Sequence, residues 1–472
     1  MGRTGAIFLF LLTLTMGNIF AQVEGGIPDD RLVVEGFQLK GNKVTKSHII
    51  VREMLCQVGD TLLKMELIST LQLSRANLLN TSLFNFVYMD VQHLQGNRII
   101  VEVEVTERWY IWPVPIVEYA ERNFNEFIKN REWDKMVYGL WLKWNNFRGR
   151  NELLTGKIRL GYINEYALAY RIPNLGKKQQ HGISNGFNIN HQNEVSAATL
   201  NNMPWEFRSP VHPAQIRYNA FSKYMFRPRH YSIHTLRLDY YSYVIADTVA
   251  ALNPDYLGGS RTGLKYFSLR YQFVHDVRDS RVYPLEGFMV KIIGEKLGLG
   301  LIDDFPYQSY LFTGVVMFHH QLAGTVYFYN TTKGRYSSEK RLPHVLNKAL
   351  GYHEWLSAYE PYVIDGSDYF ISSYNLKFQV LKPTVWNVPR IRMEQFNKIH
   401  FAMYVNLFAD AGYVNNEWPG PTNTLVNNLQ FSAGIGVDLV TYYDQVLRVS
   451  YAINRIGEHG FFFHLKTPFL NW

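Results

Sequence analysis

From Trp109 to Trp472 the chain is a succession of short segments in which apolar and polar residues alternate. Leu429, Phe431, Ala433, Ile435, Val437 and Leu439 share one face of an extended strand, and Gln430, Ser432, Gly434, Gly436 and Asp438 share the other. Leu447, Val449, Tyr451 and Ile453 repeat the pattern against Arg448, Ser450, Ala452 and Asn454, as do Tyr374, Leu376, Phe378 and Val380 against Ser373, Asn375, Lys377 and Gln379. No segment in this region is apolar enough for a membrane helix. An apolar face beside a small, hydrophilic one suits a strand set between lipid and water. Hydrocarbon admits only helices and closed barrels, because each unpaired backbone amide there costs several kcal/mol, so the pattern predicts an all-β transmembrane barrel.

Strand counting fixes its size. About 360 residues, at about ten per spanning strand plus connections, accommodate about 16 antiparallel strands. They are expected to begin near residues 109, 136, 152, 165, 182, 214, 230, 264, 285, 307, 323, 367, 398, 429, 443 and 458. The even count returns both ends of the barrel to one side.

Ahead of the barrel, residues 31–107 read as a small α+β unit: a strand from Leu32 to Leu39, a Gly41-Asn42 turn, helices near Lys46–Cys56 and Glu66–Asn80, then two strands. Leu67, Leu71, Ser74 and Leu78 share a helical face, while Ile99, Val101, Val103 and Val105 alternate with Glu102 and Glu104. Arg3, the apolar run Ile7–Met16 and the small-residue site at Ile19–Ala21 predict a secretory signal peptide over residues 1–21, with 22–30 a short linker. Cys56, the one cysteine, excludes a disulfide framework and reads as a small buried residue in a helix.

Composition supports the barrel. The 32 Tyr, 30 Phe and 10 Trp suit aromatic girdles at two membrane interfaces. A mean hydropathy of −0.17 is too low for a helical membrane protein but suits strands with one lipid face. The net charge of +8 comes from basic residues scattered through strands and loops, which argues against nucleic acid. Gly182-Ile183-Ser184-Asn185-Gly186 matches a nucleophile motif, but it runs straight into an alternating strand and has no following helix to make the strained elbow. Gly298-Leu299-Gly300 is a loop without a helix N-terminus to hold phosphate. His319-His320 alternate across a strand, so they share no metal. No reaction chemistry, catalytic residue, metal or cofactor is expected.

Several segments carry a family resemblance. They are the Gly41-Asn42 turn with Ser82-Leu83-Phe84-Asn85-Phe86-Val87, then Arg122-Asn123-Phe124-Asn125-Glu126, and Asn146-Phe147-Arg148-Gly149-Arg150-Asn151-Glu152. Asp276-Val277-Arg278-Asp279 with Pro284 and Gly287 is similar to a D-x-R-D-x-x-x-x-P-x-x-G periplasmic turn, and Phe408-Ala409-Asp410-Ala411-Gly412 to an F-x-D-x-G strand. Tyr359-Glu360-Pro361-Tyr362-Val363-Ile364-Asp365-Gly366 resembles the end of a long sixth extracellular loop, here residues 332–366. In this order the motifs resemble those of the BamA/TamA-like outer-membrane assembly factors, the bacterial surface antigen family. The resemblance implies that 31–107 is a periplasmic POTRA domain and 108–472 an outer-membrane barrel. It implies insertion or translocation of unfolded outer-membrane or secreted clients, with periplasmic accessory proteins as further partners, outer-membrane lipid around the barrel and no nucleic acid. A single POTRA domain favours a specialised or accessory member; a passive channel or a structural surface barrel is the alternative.

The chain departs from the family at the loop tip, where an Arg-Gly-Tyr sequence is replaced by Ser357-Ala358-Tyr359. Serine has neither the charge nor the donor fork of a guanidinium. Either Asp410 stays ionised in a wet lumen without a partner, or Lys348, His353 or another basic residue of the loop takes the arginine's place. The family's first and last strands pair weakly and template client strands by β-augmentation. Weak pairing is expected here between the strands Tyr110–Tyr119 and Phe461–Pro468, from Gly460 and from Pro468, Pro113 and Pro115, since glycine loosens a strand and proline lacks a ladder donor. Gly460 either bends the last strand, which carries Phe461 and Phe463, or ends the preceding loop.

Overall fold

A computed structural model describes residues 31–94, 96–119, 133–209, 213–302 and 305–466. The signal peptide, its linker, the Arg122–Glu126 motif and Pro468 lie outside these residues.

The N-terminal unit runs β1 (Arg31–Lys40), α1 (Ser47–Val51), β2 (Thr61–Leu63), α2 (Lys64–Asn80), β3 (Phe84–His93) and β4 (Arg98–Glu107). Its sheet has the order β2-β1-β4-β3, with β1 parallel to β4. The anticipated faces form the core: Leu67, Leu71, Ser74 and Leu78 of α2 are buried, as are Ile99, Val101, Val103 and Val105 of β4. The first helix is shorter than its predicted span, ending at Val51, after which the Leu55 amide is taken up by Ser74 Oγ at 2.9 Å. Cys56 is therefore buried in a bend, not a helix.

The barrel wall begins with β5 (Ile111–Tyr119), β6 (Met136–Phe147), β7 (Glu152–Gly161), β8 (Ile163–Leu175) and β9 (His181–Gln192). A separate hairpin, β10 (Glu194–Leu200) and β11 (Met203–Arg208), follows outside the wall. The wall continues with β12 (Gln215–Arg229), β13 (Ser232–Ile245), β14 (Gly263–Asp276), β15 (Gly287–Leu297), β16 (Ser309–Ala323) and β17 (Val326–Ser337). A second small pair, β18 (Lys348–Leu350) and β19 (Ile364–Asp365), lies within the sixth connection. The wall closes with β20 (Asp368–Asn387), β21 (Lys398–Asn415), β22 (Gln430–Thr441), β23 (Gln445–Asn454) and β24 (His459–Lys466).

These sixteen antiparallel wall strands form one sheet. Every predicted start lies within three residues of an observed one, the largest offset being 323 against 326. Facing follows the alternation: Phe431, Ile435, Leu447, Tyr451, Tyr374 and Val380 are exposed on the outside, whereas Gln430, Ser432, Asp438, Asn375 and Lys377 are buried inside. The sixth connection starts later than its sequence suggested, because Thr332–Ser337 extend β17 by pairing Thr332 with Ser372 and Arg335 with Tyr369. The Ser184 motif sits within β9 in unbroken register with β12, so no elbow forms.

Candidate functional site

The tip of the sixth connection folds into the barrel and touches four successive strands. The Ser357 N–H and Oγ–H both donate to Asp410 Oδ2 on β21, at 3.1 and 2.5 Å. The Ala358 carbonyl accepts from Asn454 Nδ2 on β23 at 2.7 Å, and the Tyr359 hydroxyl donates to Gln430 Oε1 on β22 at 2.9 Å. Glu360 Oε1 stands 3.6 Å from His464 Nε2 on β24. Asp410 is thus satisfied by Ser357, through a hydroxyl and an amide. This corrects both readings of the sequence. Lys348 instead lies over the Tyr352 ring at 4.9 Å, and His353 lines a different cavity with Tyr352 and Lys348.

Ala358 occupies left-handed backbone, φ 63°, where glycine is the easier residue. Its methyl packs with Phe408, Ala452 and Phe462. At the loop's end the Asp365 carboxylate accepts from the Tyr352 hydroxyl at 2.6 Å. Gly366 is required by a close approach: a Cβ there would meet Val414 Cγ1 at 2.3 Å and the Asn415 carbonyl at 2.7 Å.

The Asp276–Gly287 turn enters from the other end. Asp276 receives Arg278 in a fork, Nε to Oδ1 at 2.7 Å and Nη2 to Oδ2 at 2.8 Å. The Asp279 carboxylate accepts the Ser280 and Leu285 amides, and Gly287 turns at φ 92°, where a Cβ would meet the Val277 carbonyl at 2.4 Å. The Pro284 carbonyl accepts from Lys377 Nζ at 3.3 Å, and the Tyr283 hydroxyl donates to Asp438 Oδ2 at 2.8 Å, beside the Arg448 fork on the same carboxylate. Between this turn and the loop tip lies a cavity of about 360 Å³, lined by Tyr283, Ser357, Glu360, Phe408, Arg448 and His464 among others. The lumen is therefore occupied from both ends.

The N-terminal unit is bound to the barrel turns. Arg227 forks onto Glu53 at 2.7 and 2.8 Å. Burial pushes the Glu53 carboxyl up, but the Arg227 charge and its hydrogen bonds, with Arg52, outweigh burial and hold it below the ordinary glutamate range. Asn80 of α2 both donates to the Asp279 carbonyl and accepts the Arg281 amide. In the Asn146–Glu152 turn, Gly149 adopts φ 72° and its carbonyl accepts the Lys46 amide at 2.9 Å; a Cβ on it would meet the Val44 carbonyl at 2.1 Å. Arg108 forks onto Asp444, and the Tyr443 hydroxyl accepts the Trp109 amide at 3.0 Å, which ties the start of the first wall strand to the β22–β23 turn.

The opposite mouth is capped by connections whose role sequence reading missed. The β10–β11 hairpin carries Asn201 and Asn202 at φ 53° and 61°. The Asn202 carbonyl accepts the Val363 amide, its Oδ1 accepts the Leu425 amide, and Asn253 Nδ2 donates to the Ala197 carbonyl. Alternation and the Asn-Asn turn were the available signal.

The seam lies between β5 and β24. The strand order runs from β24 to β5 without closing, and among the described residues no ladder joins them. Phe461 and Phe463 are each 71% exposed. Pro113 and Pro115 lie in β5, which pairs with β6 in unbroken register. Gly460 lies inside β24 and pairs with Ala452 in an unshifted ladder, so it does not end the preceding loop.

No protein-family model and no curated protein matches the sequence. Among solved structures the chain is similar to CdiB from Escherichia coli, with TM-score 0.54 and 9% identity over 92% of this chain and 76% of that one. It is also similar to BamA from Haemophilus ducreyi lacking POTRA domains 1-3, with TM-score 0.49 and 16% identity over 92% and 84% of the two chains. CdiB from Acinetobacter baumannii gives TM-score 0.47 and 11% identity over 92% and 73%. At these identities the likeness is one of fold, and of these three the Escherichia coli CdiB structure carries it.

Proposed function

We propose that this chain is an outer-membrane assembly or translocation factor of a specialised or accessory kind, with residues 31–107 serving as a periplasmic POTRA domain. In this reading, extended segments of unfolded client proteins pair by β-augmentation with the edge of that domain and with the barrel seam. The observation that carries it is the seam: the two terminal edges of the sheet, β5 and β24, share no ladder among the described residues. Unpaired amides cost several kcal/mol each in hydrocarbon, so such edges favour an added strand. Occupation of the lumen by the Ser357–Glu360 tip and the Asp276–Gly287 turn argues against a passive channel.

The test is a disulfide across the seam in a Cys56→Ser background, placed where Cβ atoms fall within reach. Locking is expected to deplete a subset of outer-membrane proteins, with reductant restoring them. An identical outer-membrane proteome in the locked and reduced states would remove the seam mechanism and leave a structural role.

A further inference from the structure

The two edges of the seam are not equivalent. The Asn145 amide donates to the Tyr110 carbonyl at 2.8 Å, and these residues oppose each other in the β5–β6 register that continues as Ile111 with Trp144. In an antiparallel ladder successive residues direct their backbone groups alternately to the two sides. Even-numbered residues of β5 therefore bond β6, and Ile111, Pro113, Pro115, Val117 and Tyr119 face the open side. Two of these five residues have no N–H. The absent donors fall on the free edge, which is why the β5–β6 ladder passes both prolines without a shift.

The same reasoning applies to the last strand. The Asn454 amide donates to the Glu458 carbonyl at 2.9 Å, in the register that pairs Ile453 with His459. Even-numbered residues of β24 thus bond β23, and His459, Phe461, Phe463 and Leu465 face the open side with every N–H and C=O present. Their side chains lie on the exposed outer face, while Gly460, Phe462 and His464 share the opposite parity.

We infer that β24, not β5, is the edge on which an incoming strand is built, and that β5 is a donor-poor edge that competes weakly for it. This rests on the seam reading above. The occupant is one extended strand of an unfolded membrane-barrel polypeptide. It would set apolar side chains beside Phe461, Phe463 and Leu465 and small or polar ones beside Gly460 and His464, the alternation that a barrel strand carries. The prolines keep β5 from sealing the edge before the client arrives.

The probe is a nine-residue peptide of the β5 sequence with valine at both proline positions and a terminal cysteine, offered to the full chain in detergent in a Cys56→Ser background. Disulfide capture is expected at Leu465→Cys at least tenfold above Val117→Cys. Adding Phe461→Pro and Phe463→Pro, which delete edge donors and leave the β23 ladder, should lower capture about tenfold while heat-modifiable gel migration persists. Should those variants fail to fold, Pro113→Val with Pro115→Val gives an independent arm: β5 would then close on β24, lowering peptide capture about tenfold and raising direct β5–β24 disulfides. Equal or greater capture at Val117→Cys overturns the inference. So does capture that ignores both sets of variants, or a disulfide-linked homodimer through Leu465→Cys that displaces the peptide. The seam lock does not depend on which edge is used: an effective lock with capture on β5 sinks the polarity alone, and an ineffective lock with capture on β24 sinks the seam reading alone.

Discussion

Replacing Ser357 by alanine tests the loop clasp with a single oxygen. The Oγ–H donates to Asp410 Oδ2 at 2.5 Å, and the Ser357 amide donates to the same oxygen at 3.1 Å. Asp410 is 8% exposed, so water replaces a lost donor poorly. A hydrogen bond to a charged group contributes about 1.5–3 kcal/mol, and a smaller side chain introduces no clash. Ser357→Ala should therefore raise the open population of the tip about 10- to 150-fold. Hydrogen exchange of residues 356–362 reads this directly, because the Ser357, Tyr359 and Tyr362 amides are all bonded in the closed tip. Asp410→Ala should loosen the same amides further, and the double variant should be no looser than Asp410→Ala alone, since the two residues form one interaction. Exchange in Ser357→Ala within twofold of the parent would refute the clasp and return Asp410 to a solvated luminal carboxylate.

Ala358→Gly removes about 1–2 kcal/mol of left-handed strain but also removes a methyl packed on Phe408, about 0.8 kcal/mol, and adds chain freedom of about 0.5–1 kcal/mol. These terms nearly cancel, so tip exchange should stay within about fivefold of the parent; a larger change would show the balance misjudged. Glu53→Gln leaves two arginines around a buried neutral group and should weaken docking of the N-terminal unit by about 3–5 kcal/mol, read as faster exchange in residues 47–57 and 227–231. Because the docked Glu53 titrates below its free value, its contribution is complete above the ordinary glutamate range of about 4.3 and is lost as pH falls through the lowered value. Parent docking should therefore hold from pH 7 to 5 and loosen in stronger acid, while Glu53→Gln loses that dependence. Gly149→Ala would drive a Cβ into the Val44 carbonyl, so it should free the Lys46 amide to exchange while the barrel keeps its heat-modifiable migration.

The barrel was legible because lipid imposes a period of two on every spanning strand, and no tertiary contact overrides that requirement. The β10–β11 hairpin alternates too, but its strands of seven and six residues are too short to span, and counting by span length passed over them. The three-residue β2 is shorter still. The long-range pairs had no local signal: Arg227 and Glu53 are 174 residues apart, Arg108 and Asp444 336. At the loop tip the comparison of charges pointed toward Lys348 or His353, whereas the solution uses the path of the backbone, which brings the Ser357 amide and hydroxyl to one oxygen. Residue type alone does not report that path.

Only three residues, Arg108, Trp109 and Tyr110, separate the end of β4 from the start of β5. Glu107 on one side accepts the Val44 and Thr45 amides, and Arg108 on the other grips Asp444. A joint so short and so tethered has no slack to take up, so it behaves as a crank rather than a leash. Torque applied to the N-terminal sheet arrives at the first wall strand as twist and at the β22–β23 turn as a pull through the same guanidinium. The first wall strand and the β22–β23 turn are thus loaded together by whatever grips the N-terminal unit, and stiffness, more than chemical affinity, would set how far they move.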